Sequence, residues 1–164
     1  MSAPRQIVSE NNQCPFQHWR VPLVQAVEEV FSMMVGAEVR IPESEPSSQN
    51  ADVTGMVGLA GAMCGVMSVR CSNKTANKIA SQMLGVPLTD AALQQSDAVG
   101  EICNMVAGNF KAKLEGMQDK CMLSVPTVIT GEDYQLHSLA GGDRIELVFI
   151  YESEPLWIIM EVRS

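Results

Sequence analysis

Along residues 21–35 the apolar positions Leu23, Val24, Val27, Val30, Phe31 and Met34 recur at helical spacing. Pro22 suits the first turn of such a helix, and Gly36 suits its end. The pattern then shortens. Residues 39–41 read as a short strand and residues 42–50 as a loop rich in Pro, Ser and Glu. Residues 53–59 and 63–71 carry β-forming side chains and are joined by Ala60-Gly61-Ala62, the composition of a hairpin connection. Helical spacing returns after Ser72, whose hydroxyl can accept a free N–H of a first turn, and runs through Ala76, Ile79, Ala80, Met83 and Leu84 to Gly85. Thr89 or Asp90 can cap the next helix, which continues to about Leu114 and tolerates a break near Ser96. Residues 121–129 form a strand interrupted at Pro126. Proline lacks the N–H that a central strand donates, so this strand belongs at an edge or a bulge. A loop over 131–142 leads to two strands, 144–151 and 156–162, that pair as a hairpin. Helix, strands, two helices, strands is the order of an α+β fold, with long helices packed on a largely antiparallel sheet.

One helical stretch departs from the simple pattern. In residues 97–111, Asp97, Glu101, Asn104, Gly108 and Lys111 share a sector roughly 80° wide at about 100° per residue. Val99, Ile102, Val106 and Phe110 lie opposite. One face is therefore buried, and the other shows a carboxylate and a carboxamide one turn apart. Glycine inside a helix costs about 0.5–1 kcal/mol relative to alanine. Gly100 and Gly108 thus point to a steric need for flat space beside Glu101 and Asn104. A solvated face with its glycines packed against a neighbour fits the same pattern.

Charge and composition narrow the chemistry. The 164 residues suit one domain, and a net charge of −8 argues against a nucleic-acid or membrane surface, since both need clustered Lys and Arg. No apolar run approaches the roughly 18 residues of a membrane span, and residues 1–10 carry no secretory segment, so the expected compartment is the cytoplasm. Residues 1–17 are polar and aperiodic and read as a flexible N-terminal arm, with residues 18–164 forming the single domain. The five cysteines (Cys14, Cys64, Cys71, Cys103, Cys121) include no C-x-x-C pair and are expected as reduced core thiols. With only His18 and His137 beside them, no metal-ligand spacing appears. Gly55, Gly58, Gly61 and Gly65 match no phosphate-binding loop and suit a twisted hairpin instead.

Asp97-x-x-x-Glu101-x-x-Asn104, followed by Met105-Val106-Ala107-Gly108-Asn109 and later by Pro126, resembles the signature of the CheC/CheX/FliY chemotaxis phosphatases. The single copy of the motif is that of the CheX type. The likeness extends to the glycine-rich hairpin, the helix from Ser72 to Gly85 and the segment Leu123-Ser124-Val125-Pro126-Thr127-Val128-Ile129-Thr130-Gly131. The resemblance implies a CheX-like domain over residues 18–164 that hydrolyses the aspartyl-phosphate of a CheY-like response regulator. It implies Glu101 and Asn104 as the catalytic pair, with Glu101 docking on the receiver's lysine and Asn104 holding the attacking water. Asp97 and Gly108 are implied in substrate binding, Asp97 also suiting a capping or surface role. Lys111 suits either steering of a phosphorylated partner or a solvated position, and Pro126 is expected to shape a strand near the site. No cofactor of its own is expected, Mg2+ belonging to the partner receiver, and a homodimer is implied. The alternative is a non-catalytic module of the same fold that binds a receiver or dimerises as a scaffold.

Overall fold

A computed structural model describes residues 17–47, 51–137 and 141–163. Of the expected arm over 1–17, all but Gln17 lies outside these residues, as does Cys14. Helix α1 (Arg20–Val30) is preceded by a 3-10 turn, Gln17–Trp19, and continued by a π turn, Phe31–Val35. Gly36 ends it in the left-handed conformation, φ 71°, which a residue without Cβ adopts freely. Strands β1 (Val53–Gly61) and β2 (Cys64–Cys71) form the first hairpin. Helix α2 (Asn73–Leu84) starts at Ser72, whose Oγ accepts the Thr75 N–H, and ends at left-handed Gly85.

The next connection differs from the sequence expectation. Thr89 and Asp90 cap nothing: both lie inside the short helix α3 (Leu88–Ala91), which follows Pro87 with no side-chain cap. A 3-10 turn, Ala92–Gln94, then separates α3 from the long helix α4 (Gln95–Lys113). Proline at the boundary fixes the backbone without a capping side chain. Strands β3 (Cys121–Leu123), β4 (Thr127–Thr130), β5 (Asp143–Tyr151) and β6 (Glu154–Arg163) complete the chain. The β5–β6 turn shrinks to Glu152 and Ser153, both at positive φ as a two-residue hairpin demands. The expected strand at 39–41 is reduced to one bridge between Arg40 and Ile150.

All pairings are antiparallel, and the order across the sheet is β3 and β4, then β1, β2, β6 and β5. β3 and β4 pair in succession with the same strand, β1, so Pro126 sits in a broken edge strand as its missing N–H requires. Ser124 bridges the break. Its N–H donates to the Gly58 carbonyl at 2.9 Å, and its Oγ accepts the Gly58 N–H at 2.8 Å. A hydroxyl here replaces the carbonyl that a continuous strand would supply.

Helix α4 lies on β1 and β2, flanked by α1 and α2. Its approach to β1 depends on Gly55, where a Cβ would stand 3.1 Å from the Val99 carbonyl oxygen and 3.2 Å from Val99 Cγ1. The helix backbone thus rests almost directly on the strand backbone. Trp19 meets Phe110 edge-on, and Phe31 tilts against Tyr151, closing the core around both ends of the helix layer.

Candidate active site

The site begins with the burial of one side of α4. Val99, Ile102, Cys103, Val106 and Phe110 are all 0% exposed, which fixes the rotation of the helix about its axis. Asp97 and Glu101 consequently stand in solvent, with Asn104 and Gly108 half-buried along the same strip. All four residues expected at the site are brought together. Asp97 lies in the first turn, where a carboxylate complements the helix dipole, but the N-cap is Gln94 and no side chain caps it. Among the described residues, the side chains of Asp97, Glu101 and Asn104 make no hydrogen bond or ion pair, and the carboxamide atoms of Asn104 remain open to solvent. Their hydrogen-bonding capacity is free for something outside the fold.

The segment from β3 to β4 forms one wall of the strip. Lys111 Nζ donates to the carbonyls of Cys121 at 2.7 Å and Gln118 at 2.9 Å. A Cβ on Gly108 would lie 3.9 Å from Leu123 Cδ1, and one on Gly100 would lie 3.6 Å from Pro126 Cβ and 3.1 Å from Val128 Cγ2. Residues 121–128 therefore run alongside α4 in the opposite direction. Asn104 lies midway between Gly108 and Gly100, so the stretch at Ser124 and Val125 passes beside it.

Two expectations change. Gly100 offers no flat ground to a partner, because it is buried and the protein's own Pro126 and Val128 occupy that space. Lys111 is not a freely solvated side chain; half-buried, it ties the end of α4 to β3. Ser124 was not expected at the wall. Its position before Val125-Pro126 is the sole local signal, and its partner Gly58 is remote in the chain.

The strip carries no serine, threonine or cysteine, and the nearby thiol is unsuited to be a nucleophile. Cys103 faces the sheet, donating to the carbonyls of Gly55 and Met67 at 3.5 Å, and burial pushes its thiol up to about 12. Burial likewise raises Cys71 to about 12 and raises Cys121. Cys64 departs from the expected core position and is exposed at the start of β2. Among the described residues no three His, Cys, Asp or Glu side chains gather as a metal site. No helix among them is long and apolar enough to cross a membrane. A cavity of about 390 Å³ lies on the opposite side of the sheet, lined by Met56, Ser68, Arg70 and Ile159 among others, and shares no residue with the strip. What the strip offers is a carboxylate and a carboxamide that have no side-chain or backbone partner among the described residues.

The fold, long helices layered on an antiparallel sheet, is one that known proteins share. The family model described as chemotaxis phosphatase CheX matches residues 53–149, and the chain belongs to that family. The chain is 33% identical over 114 residues to the CheY-P phosphatase CheX of Thermotoga maritima, covering 66% of this chain and 70% of that protein. Chemotaxis protein CheX from Vibrio vulnificus superposes with a TM-score of 0.73 at 26% identity, over 88% of this chain and 96% of that one. CheX of Borrelia burgdorferi, in its complex with CheY, BeF3 and Mg2+, shares the fold with a TM-score of 0.71 at 21% identity, over 89% of this chain and 98% of that one.

Proposed function

We propose that this protein hydrolyses the aspartyl-phosphate of a CheY-like response-regulator receiver, ending a chemotaxis or other two-component signal. The observation that carries the reading is the pairing of Glu101 and Asn104, one turn apart on a rigid helix, with no side-chain partner among the described residues. An acyl phosphate is already activated, so the catalyst has chiefly to place water in line with phosphorus. Asn104 accepts one hydrogen bond from that water and donates another without adding negative charge beside the phosphoryl group. Water attacks phosphorus, the bond to the acyl oxygen breaks, and the receiver's carboxylate and inorganic phosphate leave. The proton lost by the water ends on phosphate or solvent. Glu101 pairs with the receiver's lysine and sets the register of Asn104, while Asp97 and Gly108 border the docked surface. Magnesium belongs to the receiver. We place the protein in the cytoplasm as a homodimer, a state that light scattering checks.

The test is release of phosphate from acyl-phosphorylated CheY-like receivers with and without this protein. The wild type accelerates decay. Asn104→Ala slows it about 100-fold while receiver binding persists, and Glu101→Lys weakens binding itself. Unchanged decay across several receivers would overturn the reading.

A further inference from the structure

Leu93 and Val125 are 91% and 84% exposed, the two highest values among large apolar side chains of the described residues. Single exposed apolar side chains are ordinary on protein surfaces; here their placement is the informative feature. Leu93 stands four residues before Asp97, in the Ala92–Gln94 turn that leads into the start of α4. Val125 lies in the wall that passes beside Asn104. The two thus bracket the polar strip, one at its end and one along its flank.

Both are also held in place. Val125 sits between Ser124, locked to Gly58 by two hydrogen bonds, and Pro126, packed against Gly100. The Ser124 hydroxyl further donates to the Val125 carbonyl at 2.9 Å. Leu93 is fixed in the short turn between α3 and α4, two residues after Ala91, which is 0% exposed. An apolar side chain on a fixed backbone loses little freedom when covered, which suits an interface anchor.

We infer that Leu93 and Val125 are apolar anchors for the phosphorylated receiver, seating it so that Glu101 and Asn104 meet the acyl phosphate. The inference rests on the proposed phosphatase reading and adds the contacts that set affinity. The occupant is the receiver rather than a second copy of this chain, because the anchors flank the very side chains whose hydrogen bonds are unfilled. The division of labour follows. Glu101 supplies a charge contact sensitive to salt, and the anchors supply area that salt leaves alone.

The experiment is steady-state phosphate release from CheY charged with acetyl phosphate, at varied CheY and salt concentrations. Leu93→Ser and Val125→Ser each raise KM about tenfold with kcat unchanged, and Leu93→Met and Val125→Ile restore KM. The KM of the serine variants rises by the same factor at low and high salt, whereas the effect of Glu101→Gln shrinks as salt rises. Both sites are exposed, so the fold tolerates the changes, and circular dichroism verifies this. An active protein whose serine variants keep the wild-type KM overturns the inference alone. So does a shift from dimer to monomer as their only effect. A wild type that accelerates no decay overturns the phosphatase reading and this inference with it.

Discussion

Around α4, Val99, Ile102, Cys103, Val106 and Phe110 are sealed against β1 and its neighbours, while Asp97, Glu101 and Asn104 hold polar groups with no partner among the described residues. The inner side is over-determined. It is packed so closely that a Cβ at Gly55 would be tight against Val99, and even the Cys103 thiol has carbonyls to meet. The outer side is left incomplete. A fold spends its contacts on fixing the helix, and the fixed helix then presents free hydrogen-bonding groups at a defined spacing.

The sharpest way to break this contrast is to alter one side and read both stability and rate. Phe110→Ala should cost about 3–5 kcal/mol in urea unfolding, because Phe110 is 0% exposed and packs edge-on against Trp19. Its rate per folded molecule should be kept. Asn104→Ala should do the reverse, changing stability by no more than about 0.5 kcal/mol while phosphate release falls about 100-fold. A destabilisation by Asn104→Ala comparable to that of Phe110→Ala would make the strip structural.

The two glycines of the strip give the next comparison. At Gly100 an alanine methyl would press on Val128 Cγ2 at 3.1 Å, a branched side chain on an edge strand. Overpacking of this kind costs about 1–3 kcal/mol, against about 1 kcal/mol gained in helix propensity. Gly100→Ala should therefore lose roughly 1 kcal/mol on balance. At Gly108 the methyl would meet Leu123 at 3.9 Å, an ordinary contact, so Gly108→Ala should gain up to about 1 kcal/mol by the same propensity. If Gly108 is ground for the docked receiver, that more stable variant should also show a raised KM. Unfolding curves and phosphate release on the two variants check both statements.

These glycines also mark how far the sequence could be read. Their cost inside a helix was visible locally, and so was the shared face of Glu101 and Asn104. What fills the space beside each depends on where residues 121–128 run, and strand pairing across that distance leaves no local trace. The same applies to Lys111, whose carbonyl partners lie beyond the end of the helix, and to Ser124, whose partner is Gly58. Local rules succeeded where the deciding atoms are local: Ser72 caps α2, Gly36 and Gly85 close helices, and Pro126 marks an edge. They misplaced the start of the third helix because Pro87, rather than Thr89 or Asp90, ends the preceding connection. Cys64 misled for a related reason, since an apolar strand sequence does not reveal which end of the hairpin is exposed.

The smallest effect contrasts two glutamates. Glu101 has no partner among the described residues, whereas Glu29 on α1 accepts from Lys113 Nζ of α4 at 2.7 Å. The side-chain hydrogen bond from Lys113, with a further one from Asn109, holds the Glu29 carboxyl below its ordinary value. A lowered carboxyl contributes stability above the unfolded-state pKa, about 4.3 for glutamate, and loses it as pH falls through the folded value. Glu29 is exposed to solvent, so water and salt screen the pair and its contribution is small. Glu29→Gln should lower the melting temperature slightly at pH 7 and low salt, and the difference should vanish at pH values below the folded pKa and in 1 M salt, where the Debye length is about 3 Å. Glu101→Gln should leave melting at pH 7 unchanged and act on receiver binding. A melting difference for Glu101→Gln that equals that of Glu29→Gln at pH 7 and disappears with it in 1 M salt would reveal an intramolecular partner for Glu101 and remove the basis for treating its carboxylate as free.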